Sequence, residues 1–280
     1  MLWHDGTIIS DSEAILSAKD RGVSLGDGLF ETLPCFNGHA FLKNAHIARM
    51  KTSAARLSLL FDQEAVEKVI DQLAKVHKDP GIIRVTLTRG EGQRGLAFPD
   101  PMKPNLFATR APWTETLAFG EARLHTSTIR RNSTSLTSSH KTLSYLDNVM
   151  AYHEARRNNA DDALMLDEHA HLACTSMANL FAISGREILT PSKSGAILPG
   201  IMRAFIIDIA PSLGLDVVEK SIHRRDLLSS DMVFSSNSVR LMTQITAIDG
   251  NDLQEKSNTH YNALRELICE RLHEDTGYRM

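Results

Sequence analysis

The sequence has few cysteines, no long apolar segment and no strong excess of charge of one sign. Its three cysteines, Cys35, Cys174 and Cys269, are widely spaced and form no Cys-x-x-Cys pair, which argues against a disulfide framework and a structural zinc site. No apolar run approaches the ~18 residues of a spanning helix, and the first residues lack the basic and apolar regions of a signal peptide. These absences predict a cytoplasmic protein without a membrane-spanning helix.

Several catalytic and binding motifs are also missing. The 12 histidines never fall into His-x-x-x-His spacing, so no metal centre is expected. Neither a Gly-x-Ser-x-Gly elbow nor a P-loop occurs, which argues against a serine hydrolase and a P-loop nucleotide-binding protein. The net charge of −3 argues against a surface dedicated to nucleic acid.

The length of 280 residues allows two lobes, each with its own core. Pro112 is followed by Trp113 and a short polar stretch, a composition typical of a link, so we place the boundary near residues 112–119. The sequence therefore predicts an N-terminal α/β lobe over residues 1–115 and a C-terminal lobe over residues 120–280.

The elements of the N-terminal lobe follow from local patterns. A glycine turn at Gly26–Gly28 leads into a strand over Leu29–Leu33, where apolar and polar residues alternate, and Asn37-Gly38 then predicts a hairpin turn. A helix that begins at Asn44 places His46 and Arg49 on one side. The remaining elements are a helix after Asp62 and strands over Ile82–Thr88 and Asn105–Thr109.

The loop Arg89–Gly95 contains three glycines and two arginines. Guanidinium groups and exposed backbone N–H groups are suited to holding an anion. A solvated glycine loop accounts for the same composition, so both interpretations stay open.

In the C-terminal half, a Ser/Thr-rich stretch brings Lys141 to the start of a helix in which Leu146, Val149, Met150 and His153 recur at helical spacing. Taken alone, such a lysine is more often a solvated side chain than a functional one. The other predicted strands cover Ala163–Asp167 and Asn179–Ser184, joined by a polar turn at Glu168-His169, and then Val217–Glu219, Met232–Phe234 and Thr243–Ile248. The remaining predicted features are a glycine-containing loop after Pro191, a helix opened by Leu198–Arg203, a helical turn over Arg224–Leu228, a hydroxyl-rich turn over Ser235–Ser238 and a terminal helix over Asn262–Leu272.

Short motifs along the chain share their order and spacing with one enzyme family. They are Asp20–Gly22, Gly26–Thr32, His46–Arg49, Arg89–Gly95, Lys141 with Leu143 and Asn148–Ala151, Asn179–Phe181, Leu198–Arg203 and Phe234–Ser238. On these residues the chain resembles the class IV aminotransferases, the fold type IV enzymes that use pyridoxal 5'-phosphate (PLP), over nearly its whole length. The resemblance implies an α+β fold with a smaller N-terminal α/β lobe, a larger C-terminal pseudo-barrel lobe and the cofactor between them.

The resemblance also implies roles for individual residues. Lys141 would be the Schiff-base lysine, and Arg49 would bind the cofactor phosphate. The other phosphate donors would be the backbone N–H groups of Ile201 and Met202, at a helix start, with Asn237 and Ser238. A buried phosphate needs such partners because burying its charge unpaired is very costly.

The substrate-binding positions match the family only in part. Arg94 lies where the D-amino-acid members hold the substrate carboxylate with an arginine. Leu96 stands where those members carry a histidine, and Phe30 where they carry a tyrosine, so one of three clamp residues is kept. Further possible carboxylate contacts, for which a surface position is the default, are Arg130, Arg131, Arg224 and Arg240.

Cys174 is the largest departure from the family. It lies five residues before Asn179, where the family carries a glutamate that keeps the pyridine nitrogen of the cofactor protonated. An ordinary thiol is mostly neutral at pH 7 and replaces a carboxylate poorly in that role. A slow enzyme, a thiolate with a lowered pKa and chemistry that needs less carbanion stabilisation all remain open. So does a small buried side chain without a role, if the alignment is shifted.

Three functional hypotheses follow from the resemblance. The first is a transaminase that moves the amino group of a small amino acid, branched-chain or D-configured, to a 2-oxo acid, with Lys141 as covalent anchor and general base. The second is an aminodeoxychorismate lyase, which makes 4-aminobenzoate and pyruvate with the same lysine. The third is a PLP-binding protein with little catalysis because of Cys174. The family also implies a homodimer. The net charge and the lack of a long apolar segment predict that neither nucleic acid nor a membrane is a partner.

Overall fold

The computed structural model describes residues 1–4, 6–10, 16–193, 196–253 and 259–280; Ser194 and Gly195, of the loop predicted after Pro191, lie outside them. The chain forms two compact units. Unit 1 comprises Met1–Thr114, His140–Ser144 and Leu272–Met280, and unit 2 comprises Glu115–Ser139 and Tyr145–Arg271. Lys141 thus belongs to unit 1. That the two lobes expected from the sequence are independent domains remains a prediction.

Unit 1 is built on a six-stranded antiparallel sheet, ordered β2-β1-β6-β5-β3-β4. Its strands are β1 (Leu2–His4), β2 (Thr7–Ile9), β3 (Gly28–Phe36), β4 (His39–Ala40), β5 (Gly81–Thr88) and β6 (Asn105–Pro112). The predicted hairpin is confirmed, because Asn37 and Gly38 join β3 to β4 and both have positive φ, at 50° and 85°.

The helices of unit 1 are α1 (Arg21–Leu25), α2 (Lys43–Arg56) and α3 (Gln63–Val76). Asp62 caps α3 by accepting a hydrogen bond from the backbone N–H of Ala65 at 3.0 Å. The apolar stripe of α3 is buried in one core with the inner residues of β3 and β5, and this core includes Val66, Val69, Ile70, Leu73, Leu33, Ile83 and Val85.

Unit 2 contains a nine-stranded mixed sheet, ordered β12-β11-β10-β13-β14-β7-β8-β9, with β15 paired to β14. Its strands are β7 (Glu121–Arg131), β8 (Asp162–Asp167), β9 (Leu172–Thr175), β10 (Asn179–Ser184), β11 (Glu187–Pro191), β12 (Asp216–Lys220), β13 (Met232–Asn237), β14 (Leu241–Ile248) and β15 (Asn251–Asp252). Leu164, Leu180 and Ile245 lie in its buried core.

The remaining helices are α4 (Leu136–Ser139), α5 (Leu146–Arg157), α6 (Ile201–Ile209), α7 (Arg224–Ser229) and α8 (Thr259–Thr276), with single 3-10 turns at Glu115–Leu117 and Ala210–Leu213. Residues of α8 from Leu272 onward belong to unit 1. In the described part of the chain, no helix combines the length and the apolar character needed to cross a membrane.

Two local predictions for unit 2 are wrong. The segment between Asp167 and Asn179 is more than the predicted polar turn, because it contains the strand β9. Ser235 and Ser236 continue β13 instead of forming a turn, and they pair with Leu180 and Asn179 of β10. Backbone pairing on both sides of β13 overrides the turn preference of the two serines.

The apolar residues that predicted α5 lie on its exposed side. Leu146 and Val149 are 70% and 57% exposed, whereas Asn148 and Ala151 are buried. Asn148 orients the helix, because its Nδ2 donates to the Ser176 carbonyl at 2.7 Å. Polar contacts and small side chains thus decide which face of α5 is buried.

Candidate active site

Lys141 is held in unit 1 by the main chain of β3. The Phe30 N–H donates to the Lys141 carbonyl at 2.9 Å, and the Leu143 N–H donates to the Gly28 carbonyl at 3.0 Å. Thr142 forms an antiparallel bridge with Leu29. The segment around the lysine therefore behaves as a short additional strand, and its position depends on β3.

Gly26 and Gly28 allow this close approach. Gly26 ends α1 with φ of 66°, a conformation that favours glycine. A Cβ on Gly28 would lie 2.6 Å from the Leu87 carbonyl oxygen and 2.8 Å from the Leu143 side chain. The glycine motif seen in the sequence is thus required where the lysine segment packs on the sheet.

The residue between these glycines, Asp27, organises two arginines. Its Oδ2 accepts hydrogen bonds at 2.8 Å from Nε of Arg21 and from Nε of Arg89. Arg89 also donates to the carbonyls of Leu57 and Ser58, just beyond the end of α2. Arg89 is buried in this network, so the interpretation of the loop Arg89–Gly95 as an anion-binding site does not include Arg89.

A buried cluster of three polar residues lies beside Lys141. Glu31, on β3, accepts hydrogen bonds from Arg49 Nε on Oε1 at 2.8 Å and from Arg49 Nη2 on Oε2 at 2.6 Å. His46 Nδ1 lies 2.7 Å from the same Oε2. His46 and Arg49 share one side of α2, as their spacing predicted.

The charges in this cluster follow from burial and pairing. Burial opposes ionisation of Glu31, but Arg49 and His46 more than offset it, and the pKa of Glu31 is lowered to about 2. Burial lowers the pKa of His46 despite the attraction of Glu31. A carboxylate can only accept, so the neutral His46 donates through Nδ1.

The amine of Lys141 lies in a positively charged, partly desolvated setting. Its Nζ is 4.2 Å from the centroid of the Phe30 ring, and the Arg84 guanidinium carbon is 3.7 Å from the same centroid. Desolvation and the charge of Arg49 lower the pKa of Lys141 to about 7, with Arg84 adding to this effect and Glu31 opposing it. A substantial fraction of the amine is therefore neutral at pH 7, as a nucleophile or base requires.

In unit 2, Cys174 lies on β9 and is 7% exposed. Burial raises the pKa of its thiol, and the nearby charge of Arg131 does not reverse that effect. The thiol is therefore neutral at pH 7, and the alternative of a thiolate with a lowered pKa is wrong.

The predicted phosphate donors of unit 2 lie on connected elements. The side chain of Asn179, on β10, donates to the Leu198 carbonyl at 2.9 Å, just before α6. Asn179 pairs with Ser236, next to Asn237, and Asn237 Nδ2 donates to the Met177 carbonyl at 3.3 Å. The N-cap of α6 is Gly200, which has no side chain, so within the described part of the chain the first N–H groups of the helix, including those of Ile201 and Met202, donate no bond to a capping side chain.

The structure thus groups the predicted site residues by unit. Unit 1 holds Phe30, Arg49, Arg94 and Lys141, and unit 2 holds Cys174, Ile201, Met202, Asn237 and Ser238. Arg94 is exposed on the loop Arg89–Gly95, and Leu96, directly after that loop, is exposed too. Sequence reasoning did not assign roles to Glu31 or Arg84. Each is a charged residue within a strand whose other residues are mostly buried, and a charge in such an apolar strand is the pattern that could have identified them.

Comparison with known proteins gives a consistent set of relatives. Residues 28–248 match the family model of amino-transferase class IV. The chain is 30% identical over 252 residues to a D-alanine aminotransferase of Listeria innocua, covering 87% of this chain and 86% of that protein. It is 28% identical over 287 residues to an aminodeoxychorismate lyase of Bacillus subtilis, covering 99% and 98%.

Solved structures share the fold. The branched-chain aminotransferase of Thermoproteus uzoniensis superposes with a TM-score of 0.89 at 25% identity, over 99% of this chain and 96% of that one. A hypothetical aminotransferase from Mycobacterium tuberculosis, in a PLP-bound form, gives a TM-score of 0.86 at 23% identity, over 98% of this chain and 99% of that one. These likenesses confirm the α+β fold expected from the sequence, with a smaller N-terminal sheet and a larger C-terminal sheet.

Proposed function

Because this chain belongs to the class IV aminotransferase family, we propose that it is a PLP-dependent transaminase that moves the amino group of a small amino acid, branched-chain or D-configured, to a 2-oxo acid. The observation that carries the proposal is the pKa of Lys141, lowered to about 7 beside a fixed arginine. A lysine with an ordinary pKa near 10.4 would be almost fully protonated at neutral pH and unreactive.

The residues of unit 1 fit the two reactive ends of PLP. An aldehyde requires a partly neutral amine, which Lys141 supplies, and a phosphate requires a fixed cation, which Arg49 supplies. The hydroxyl of Thr142, next to Lys141, is buried without a hydrogen-bond partner among the described residues, and a polar ligand would satisfy it. In our proposal, Ile201, Met202, Asn237 and Ser238 supply the remaining phosphate contacts.

When bound, PLP joins its aldehyde carbon to an amine and withdraws electrons from the α-carbon of the substrate. Lys141 Nζ would hold the cofactor through its aldehyde carbon, and the neutral Nζ would also serve as the base that accepts the α-proton of the substrate. Arg49 would hold the phosphate, while Phe30 covers one side of the amine. Arg94 is proposed to receive the substrate carboxylate.

The direct test uses the Lys141→Ala variant with PLP. Wild-type protein is expected to develop a visible absorbance band, to retain cofactor mass on the Lys141 peptide after borohydride reduction, and to form pyridoxamine phosphate with D-alanine or L-leucine. Lys141→Ala should lose all three properties. The matched control is Lys51→Ala, an exposed lysine of α2, and equal labelling of both variants would contradict the proposal.

The second candidate is an aminodeoxychorismate lyase. It is favoured by the relative from Bacillus subtilis, whose similarity covers 99% of this chain, and by the motifs Arg89–Gly95, Gly200–Arg203 and Asn237-Ser238. Pyruvate release from aminodeoxychorismate, without formation of pyridoxamine phosphate from amino acids, would establish the lyase over the transaminase.

A third candidate, PLP binding with little catalysis, is favoured by the neutral thiol of Cys174. If this residue limits the reaction, Cys174→Glu should increase the rate of α-proton exchange of a bound amino acid, measured by deuterium incorporation. An unchanged exchange rate in a folded variant would show that the side chain at position 174 does not control the cofactor ring.

We also propose that the protein is a homodimer, in which α5 contacts its counterpart. Leu146, Val149 and Met150 form an exposed apolar stripe. Since the first turn of α5 carries Asp147 and its last turn carries Arg156 and Arg157, two antiparallel copies would bring opposite charges together. Val149→Asp should shift the mass in solution from dimer to monomer, whereas Leu60→Asp, at a similar exposure of 58%, should not. A monomeric wild type would contradict the proposal.

A further inference from the structure

We infer that Glu31 is a positioning residue that serves two groups at once: it fixes the guanidinium of Arg49 for anion binding, and it balances the positive charges that surround the amine of Lys141. This inference rests on the proposed function, and it extends that function to a residue outside the covalent chemistry. It predicts that the Glu31 carboxylate controls two measurable properties, the affinity of Arg49 for an anion and the pKa of Lys141.

The geometry fixes Arg49 through two of its nitrogens. Both carboxylate oxygens of Glu31 are used, at 2.8 and 2.6 Å, which is a bidentate pairing that sets the plane of the guanidinium as well as its position. The hydrogen bond from His46, at 2.7 Å, holds the carboxylate itself. Glu31 and His46 are 2% and 1% exposed, so water does not replace these contacts.

Among the described residues, the charged and titratable groups that act on Lys141 or its partners lie on three elements. Arg49 and the neutral His46 are on α2, Glu31 is on β3, and Arg84 is on β5. Two guanidinium groups are therefore opposed by one carboxylate. Removing that carboxylate takes away an effect that raises the pKa of Lys141, while the opposing effects of Arg49 and Arg84 stay, so the protonated form of Lys141 becomes less favourable.

Glu31→Gln and Glu31→Asp separate the two effects. Glutamine keeps the shape but loses the charge, and its amide offers one oxygen to two guanidinium donors. Aspartate keeps the charge but is one methylene shorter, so it cannot hold both nitrogens of Arg49 in the same place. The matched control is Glu154→Gln in unit 2, a carboxylate that accepts from Ser127 Oγ at 2.6 Å and from the Thr128 N–H.

Two readouts on the cofactor-free protein test the inference. The first is the apparent pKa of Lys141, from the pH dependence of its carbamylation by cyanate followed by peptide mass spectrometry. The second is the dissociation constant for inorganic phosphate, from ³¹P NMR titration. Both are independent of transaminase activity, so they stay interpretable if the reaction assigned to the protein is wrong.

Glu31→Gln is expected to lower the Lys141 pKa by about one unit, a tenfold change in the protonation equilibrium, and to weaken phosphate binding about tenfold. Glu31→Asp should weaken phosphate binding similarly and leave the Lys141 pKa close to that of the wild type. Glu154→Gln should change neither. Transamination that is absent while these results hold would contradict the proposed function alone.

Wild-type values in a folded Glu31→Gln variant would overturn the inference. If that variant does not fold, Glu31→Asp decides, because unchanged phosphate binding there would show that bidentate pairing is not needed. Wild-type protein that binds no phosphate would overturn the assignment of Arg49 itself.

Discussion

Arg49 in unit 1 and Arg131 in unit 2 are both largely buried, but they are held by different partners. Arg49 is bound by the two oxygens of Glu31. Arg131 donates to the side-chain oxygen of Asn148 at 3.2 Å and to the carbonyls of Ser138 and Ala196 at 2.7 and 3.3 Å. All three of these acceptors are neutral.

This difference determines what each arginine does to its neighbours. Glu31 offsets the charge of Arg49 only in part, so Arg49 adds to the desolvation that lowers the pKa of Lys141 to about 7. The three acceptors of Arg131 are neutral dipoles. Its charge favours ionisation of the Cys174 thiol, but burial of the thiol has the larger effect and raises the pKa. Position in the fold, more than residue type, decides the role of a buried arginine.

The largest expected effect is that of Arg49→Met, which tests the carboxylate-held arginine. It leaves Glu31 buried without its main partner and should reduce the free energy of unfolding by roughly 3–5 kcal/mol at pH 7. In the wild type, the pKa of Glu31 is lowered from 4.5 to about 2, so its stabilising contribution is present above pH 4.5 and is lost as the pH falls toward 2.

In the variant, burial should raise the pKa of Glu31 instead. The cost of Arg49→Met should therefore shrink as acid protonates this carboxyl group. Urea unfolding at pH 7 and pH 4 measures the difference, and a cost that does not depend on pH would mean that Glu31 is not the partner that matters.

Arg131→Met tests the arginine held by neutral oxygens. It leaves three acceptors without a donor and should cost about 3 kcal/mol, since each unsatisfied buried group costs about 1 kcal/mol or more. Because these acceptors do not titrate, the cost should be equal at pH 5 and pH 8 in the same urea experiment. A marked pH dependence would make Arg131 resemble Arg49 and remove the contrast between them.

Gly28→Ala tests whether the lysine site depends on the backbone of β3. The new Cβ would meet a backbone oxygen at 2.6 Å, so β5 or the Lys141 segment must shift, at a cost of roughly 1–3 kcal/mol. The carbamylation pKa of Lys141 should change, while alkylation of Cys174 should not.

The control for this substitution is Gly120→Ala, where the added Cβ meets nothing within 4 Å. Its stability and its Lys141 pKa should match those of the wild type. Equal behaviour of the two alanine variants would show that the close approach at Gly28 is dispensable.

The smallest effect is expected for Cys174→Ala. Loss of a buried neutral thiol should cost about 1 kcal/mol, without change between pH 6 and pH 8. In the native wild type, iodoacetamide should modify Cys269, which is partly exposed, before the buried Cys174. Rapid alkylation of Cys174, followed by peptide mass spectrometry, would contradict the neutral thiol.

The sequence was most informative where local pattern and tertiary structure agree. The alternating residues of Leu29–Leu33 lie within β3, and the spacing of His46 and Arg49 corresponds to a shared partner, Glu31. The family resemblance is confirmed by the match over residues 28–248. The roles carried over from it, including that of Lys141, stay predictions.

The sequence was least informative where polar residues face inward. The strand β7 buries Ser127 and Arg131, and its pairing with β8 shifts between Thr126 and Arg130. Such a bulge breaks the two-residue periodicity by which strands are recognised. In α5, the hydrogen bonds of Asn148 determine which face is buried. The spacing of apolar residues in the sequence does not reveal these hydrogen bonds.

The pairing of the Lys141 segment with β3 has a consequence for how chain length can vary in evolution. Backbone hydrogen bonds to Gly28 and Phe30 fix the position of Lys141 along β3. The length of the polar stretch before Lys141 does not fix it. Residues could be inserted or deleted between Asn132 and Ser135 while the amine of Lys141 stays in place. Diversity of sequence and length is therefore expected to accumulate there, and not in the glycine motif that receives the lysine.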